Sequence, residues 1–130
     1  MGYRSNVDVV FYTRDNQFIP EGERMPFAAL KLWVDENYPI KEAEDEWYAT
    51  VTYESERSYI YIRYLDVKWY PTDHVHDVEA ALAKFDETFD GAINVAYEFI
   101  RIGEQTDDIE ENHSANADYR LGVRREVYFD

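Results

Sequence analysis

The sequence predicts an α+β domain, an antiparallel or mixed five-stranded sheet with two helices packed on one of its faces. Three observations lead there. Apolar residues alternate at period two in several short stretches, and they step by three and four in two longer ones. The two kinds of stretch follow one another as β-α-β-β-α-β-β, with polar turns between them. At 130 residues, with neither a repeat nor a linker, residues 1–130 read as a single domain.

Val7, Val9 and Phe11 alternate with Asn6, Asp8 and Val10, which gives the first strand one buried face. Asp15, Asn16 and Gln17, then Pro20, Glu21 and Gly22, interrupt it. Pro26 suits the first position of a helix, where a missing N–H leaves nothing unpaired. Phe27, Leu30, Val34 and Tyr38 follow at helical spacing, with Trp33 beside them, until Asn37 and Pro39 stop the pattern. Residues 41–46 read as an acidic connector. Beyond it Trp47, Ala49, Val51 and Tyr53 alternate with Tyr48, Thr50, Thr52 and Glu54 in a second strand. Ser55, Glu56, Arg57 and Ser58 then turn the chain into a third strand, 59–65, with Ile60, Ile62 and Tyr64 on one face.

Pro71 closes that hairpin, and Thr72 or Asp73 can cap a second helix. Its stripe is the clearest pattern in the chain: Val75, Val78, Leu82, Phe85 and Phe89. Gly91 ends it. Val95, Tyr97 and Phe99 alternate with Ala96, Glu98 and Ile100 in a fourth strand. Residues 104–117 read as a polar, acidic loop, and 119–129 as a fifth strand with Leu121, Val123, Val127 and Phe129 on one side. The order resembles a ferredoxin-like sandwich with an added strand. Its outer face would carry Tyr48, Tyr59, Tyr61 and Tyr128, enough aromatic surface to expect a homodimer through that face or an edge strand.

The charge raises the functional question. With 28 Asp and Glu against 13 Lys and Arg, the formal charge is -15, beyond the magnitude of roughly 2 to 8 that keeps a small domain soluble. At 45% apolar and 17% aromatic residues, the acidity sits on a folded body and not on a disordered tail. The acids are grouped: Asp35 with Glu36; Glu42, Glu44, Asp45 and Glu46; Asp86, Glu87 and Asp90; Glu104, Asp107, Asp108, Glu110 and Glu111. Neighbouring carboxylates a few ångströms apart approach the spacing of a nucleic-acid strand, one charge per about 3.4 Å. A folded surface of this kind can imitate DNA, whereas the plain alternative is a solvated exterior. The last three groups are the candidate partner-binding residues.

Other chemistries fit less well. Residues 104–111 offer hard oxygen ligands to Ca²⁺ or Mg²⁺ but lack the glycine and the alternation of an EF-hand loop, so no metal and no cofactor are expected. His74 and His76 diverge on a helix, where zinc pairs sit at i and i+4; a capping role or plain exposure follows. His113 stands alone in the acidic loop. No Gly-rich phosphate loop or Gly-x-Ser-x-Gly elbow is present, and the lack of cysteine removes thiol nucleophiles and disulfides. The chain does not read as an enzyme. Its first residues carry no apolar leader core, no stretch approaches 18 consecutive apolar residues, and Ser5 lies one position short of a myristoylation pattern; a cytoplasmic protein without membrane contact is expected.

Met1-Gly2-Tyr3-Arg4-Ser5, Asp66-Val67-Lys68-Trp69-Tyr70, and Phe99-Ile100-Arg101-Ile102-Gly103-Glu104 leading into Asp107-Asp108-Ile109-Glu110 together resemble a group of small phage-encoded proteins. The similarity spans most of residues 1–111, and its motifs carry no catalytic meaning; the second and third are expected to meet and pair across the sheet. With the charge, the resemblance implies an inhibitor similar to phage proteins that mimic DNA. Such a protein works in the host cytoplasm, binds no nucleic acid itself, and occupies the basic site of a host DNA-binding protein. Restriction enzymes, CRISPR effectors, DNA gyrase, uracil-DNA glycosylase and RNA polymerase present such sites. One alternative is a module that sequesters a nucleotide signal by tyrosine stacking with Arg63, Arg124 or Arg125. Another is a virion structural component.

Overall fold

The computed structural model describes residues 4–13, 26–70, 73–92, 94–105, 108–115, 117–118, 120–123 and 127–129. The elements run β1 (Ser5–Thr13), α1 (Phe27–Asn37), α2 (Ile40–Glu46), β2 (Thr50–Glu54), β3 (Tyr59–Val67), α3 (Asp73–Thr88), β4 (Val95–Gly103), β5 (Ile109–His113), β6 (Leu121–Val123) and β7 (Val127–Phe129). Five strands form one antiparallel sheet in the order β2-β3-β1-β4-β5, and β6 pairs with β7 apart from it. The class is therefore α+β, with three helices among the described residues where two were expected.

β1 occupies the centre because both of its faces can be buried. Val7, Val9 and Phe11 point one way and Asp8, Val10 and Tyr12 the other, and all six are buried. The one-faced strand read from the alternation is corrected accordingly. On the first face, Leu30 and Val34 of α1, Ile40 and Ala43 of α2, and Val78, Ala81, Leu82 and Phe85 of α3 pack over Val7, Val9, Phe11, Ile60, Ile62, Tyr64 and Tyr97. Ring pairs such as Trp33 with Phe85, 5.4 Å between centroids and edge-on, stiffen this layer; such a pair adds about 0.5–1.5 kcal/mol beyond its buried area. The stripe of α3 is buried as its periodicity predicts, and past its end Gly91 takes φ +76°, a conformation that a Cβ would strain.

Two elements replace expected loops. The 41–46 connector is α2: Pro39 stands at its N-cap, and Ile40, Ala43 and Trp47 recur at helical spacing against the core, which the density of acids obscures. Glu42 falls in its first turn, where the helix dipole favours a negative charge. Within 104–117, Ile109–His113 forms β5 against the outer edge of β4, with Glu110 directly opposite Arg101.

The expected fifth strand, 119–129, is instead the separate β6-β7 pair. Its cause is Glu98, a buried carboxylate in mid-strand that accepts the N–H groups of Arg120 and Leu121, both at 2.9 Å. That draws the chain across the second face of the sheet, where Leu121 joins Val10, Tyr12, Ala96 and Ile100. Tyr59 and Tyr61 pack against the same cluster, so the bare aromatic face expected there is partly covered. Tyr48 is strongly exposed but precedes β2, at φ +53°.

Asp15, Asn16, Gln17, Pro20, Glu21, Gly22, Pro71, Thr72, Asp107, Tyr119, Arg124 and Arg125 lie outside the described residues, as does the start of the chain through Tyr3 and the Tyr128 side chain. Among the described residues no helix is long and apolar enough to cross a membrane.

Candidate functional site

The strand register places the acids. β1 begins at Ser5, opposite Val67 of β3 and Gly103 of β4, and β5 begins at Ile109, opposite Ile102. The C-terminal end of α2 and the first turn of α3 reach the same end of the sheet, because α2 leads into the start of β2 and α3 follows the end of β3. Glu46, Asp66, Asp77, Glu104, Asp108 and Glu110 therefore gather at one end of the sandwich, across four interstrand steps or roughly 19 Å.

Two adjoining grooves flank α2; the first runs along β2 as far as Tyr53, in register with Ile60 and Phe11, and only the second opens at this end. The first, about 920 Å³, is walled by Asp35, Glu42, Glu44, Asp45, Glu46 and Tyr53. Tyr53 donates to Asp35 at 3.4 Å and lies under the Lys31 ammonium, 4.8 Å from the ring centre. Burial, with Asp35 and Glu44 nearby, pushes its phenol up to about 12. The second groove, about 710 Å³, shares Glu42 and Glu46 and adds Trp47, Tyr70, His74 and Asp77. Of the predicted partner-binding acids, Glu42, Glu44, Asp45 and Glu46 are thus brought together with Asp35 and Asp77.

The remaining predicted acids fare differently. Glu104 accepts the Arg4 backbone N–H at 2.7 Å, while Asp108 and Glu110 are held by Arg101, whose Nη2 is 2.8 Å from Asp108 Oδ1 and whose Nε is 3.3 Å from Glu110 Oε2. Those bonds raise the pKa of Arg101 further and neutralise part of the group. Glu111 is exposed on β5, the outer edge strand. Asp86 and Glu87 stand at the far end of α3 and Asp90 just past it, Asp86 about 18 Å along the helix from His74 at 1.5 Å per residue; Asp86 accepts the Tyr97 hydroxyl at 3.1 Å. They do not join the other acids. Asp107 lies outside the described residues.

The stretches 66–70 and 99–104 meet without pairing directly, since β1 runs between β3 and β4. Arg4 bridges them, with Nη1 on the Asp66 carbonyl at 3.1 Å beside its contact to Glu104, and Arg101 reaches Ser5 Oγ at 3.2 Å. The expected cross-sheet pairing is corrected to this bridge.

Residues outside the predicted set also matter. His74 is buried rather than exposed, its ring edge-on to Trp47 with centroids 4.1 Å apart; His76 is exposed. Asp8 is fully buried in the middle of β1. It accepts the Tyr61 hydroxyl at 2.6 Å and lies 3.4 Å from Arg63 Nε. Burial raises its pKa against the opposing effects of Tyr61 and Arg63. A sequence signal existed for Asp8 and Glu98, since each interrupts an apolar run with a charge that a protein interior rarely admits unpaired. Nothing comparable marked His74. Its ring neighbours, Trp47 and Tyr64, come from two separate stretches of chain.

Among the described residues no group of three or more His, Asp or Glu side chains is placed to hold a metal ion. The arrangement is a dense carboxylate surface with an aromatic notch, suited to attracting cations. Comparison with known proteins finds no match: no family model, curated protein or solved structure is significantly similar to the chain.

Proposed function

We propose that this chain is a phage-encoded acidic inhibitor that imitates DNA and occupies the basic DNA-binding site of a host enzyme in the host cytoplasm, without contacting nucleic acid itself. The observation that carries this reading is the gathering of carboxylates from α2, α3 and the strand ends at one end of the sandwich. Glu42 and Glu46, four residues apart on one helix face, stand about 5–6 Å from each other at Cβ, a spacing a phosphate-binding groove would accept. The net charge of -15 adds long-range steering toward a basic cleft. In this reading the strand order is that of a ferredoxin-like sandwich extended by β5.

A homodimer would form through β2. Glu110 and Glu111 on β5 would repel a second copy, whereas β2 offers Thr50, Thr52 and Tyr53 on an open edge. The nucleotide-sequestering alternative draws on Arg63, but that side chain is engaged with Asp8.

The test is displacement of labelled duplex DNA from gyrase, a restriction nuclease, uracil-DNA glycosylase and RNA polymerase at low and high salt. Displacement from at least one, weakened by salt and by Glu42→Lys with Glu46→Lys, is the expected result. No displacement from any of them, or displacement indifferent to the double substitution, rejects the mimicry.

A further inference from the structure

The second groove holds a feature that a merely solvated acidic surface would not require. His74 is only 6% exposed, and among the described residues neither Nδ1 nor Nε2 has a hydrogen-bond partner. Glu42 Oε2 is 3.5 Å from Nδ1, an ion-pair distance for a protonated ring but not a hydrogen bond. A buried imidazole without a hydrogen bond is unusual, because a donor or acceptor removed from water keeps its desolvation cost until something bonds to it. Here the ring lines a groove with Glu42 and Glu46 from α2, Asp77 from α3, and Trp47 and Tyr70 as its aromatic lining. Trp47 is a braced plate: Trp69 and Tyr64 pack against it at 5.2 Å and 5.6 Å between ring centroids.

We propose that this notch is the seat for one arginine of the partner protein. A guanidinium is planar, weakly hydrated and rich in donors, so it can stack on Trp47, pair with Glu46 and Asp77, and, once the exposed Glu42 side chain swings off Nδ1, donate an N–H to the buried imidazole lone pair. An ammonium offers the charge without the plane. Lys68 also lines the groove and competes for the same carboxylates. The inference rests on the reading that the partner presents a basic protein surface, and it names the place where that surface is gripped.

The experiment needs no partner. Capped arginine (the N-acetyl amide), capped lysine and capped citrulline are titrated into the whole chain while the His74 ring nitrogens and the Trp47 indole N–H are followed by NMR. Capped arginine should give saturable shifts at both residues, capped lysine weaker ones, and capped citrulline none. Glu46→Gln and Asp77→Asn, both at exposed positions, should each weaken binding about fivefold, the upper end for one exposed ion pair, and Lys68→Gln should strengthen it. Unsaturable shifts, lysine binding as tight as arginine, or variants without effect overturn the proposal. Arginine binding without DNA displacement in the preceding test leaves this seat standing and removes the DNA-mimic reading. DNA displacement without arginine binding does the reverse.

Discussion

The acid-lined end of the sandwich and the second face of the sheet both carry carboxylates, yet they use them in opposite ways. At the end, Glu42, Glu44, Asp45 and Glu46 are exposed on one short helix, and little in the fold depends on them. On the second face, Glu98 is buried and gathers donors from distant parts of the chain: the Tyr12 hydroxyl at 2.5 Å and the backbone of Arg120 and Leu121. The Asp118 N–H completes the chain of contacts by donating to the Tyr12 oxygen at 2.6 Å. Exposed acids cost the fold only mutual repulsion, which salt screens within about 10 Å. A buried acid must be matched by hydrogen bonds, and matching it orders the segment that supplies them. One region stores charge for use outside the molecule, and the other uses charge to hold the molecule shut.

The largest effect should come from breaking the second region. Glu98→Ala removes the acceptor for two backbone N–H groups and one hydroxyl, leaving buried donors unpaired; a loss of about 3 kcal/mol is expected. Amide hydrogen exchange should show protection falling first at Arg120 and Leu121, with the centre of β1 affected only through global stability. Glu46→Ala, the matching change at the exposed end, should stay within about 0.5 kcal/mol of the parent. Similar losses in the two variants would erase the distinction.

Much of the fold was legible in the sequence wherever burial alone decides it. Ile60, Ile62 and Tyr64, and the stripe from Val75 to Phe85, are apolar at the period of their element and are buried. α2 and β5 were not legible, because the apolar spacing of α2 is crowded by acids and β5 buries none of its residues. α2 buries only Ile40 and Ala43, and every residue of β5 is exposed, so its place is set by the free edge of β4 and by Arg101. The candidate site was half visible. The α2 acids stood out as a cluster, but Asp77 and His74 join them only when α3 folds back beside α2. The separation of Asp86, Glu87 and Asp90 likewise follows from helix length, a three-dimensional fact that grouping by sequence does not express.

A smaller effect tests the boundary between the regions, where Arg101 holds Asp108 and Glu110. Its side chain is 15% exposed, against 29% for Asp108, so the pair is partly shielded from solvent. Arg101→Ala should destabilise by about 1 kcal/mol, the upper range for a surface pair, and loosen β5 through repulsion among the acids it leaves. Because that repulsion is screened, raising the salt concentration should recover part of the lost melting temperature. A deficit independent of salt would place the role of Arg101 in packing.

The smallest effect at neutral pH, and the sharpest in sign, concerns Asp8. Its carboxyl shares the second face with Glu98 but is less fully matched: Oδ2 has no hydrogen-bond partner among the described residues. Burial accordingly holds its pKa above the ordinary carboxyl value of 3.8, so between that value and the raised one the folded chain binds more protons than the unfolded chain. The stabilisation from this group is complete below the unfolded pKa and is lost as pH rises through the folded one. Asn at this position keeps an acceptor for Tyr61 and cannot ionise. Asp8→Asn should therefore remove that loss, so that its stability gains on the parent as pH climbs through the window and then holds a constant difference. Urea melts of both proteins across this range read the difference directly, and the exposed acids, common to both, cancel from it. A difference that runs the other way, with the parent gaining as pH rises, would mean that Arg63 and Tyr61 outweigh burial and that Asp8 is as well matched as Glu98.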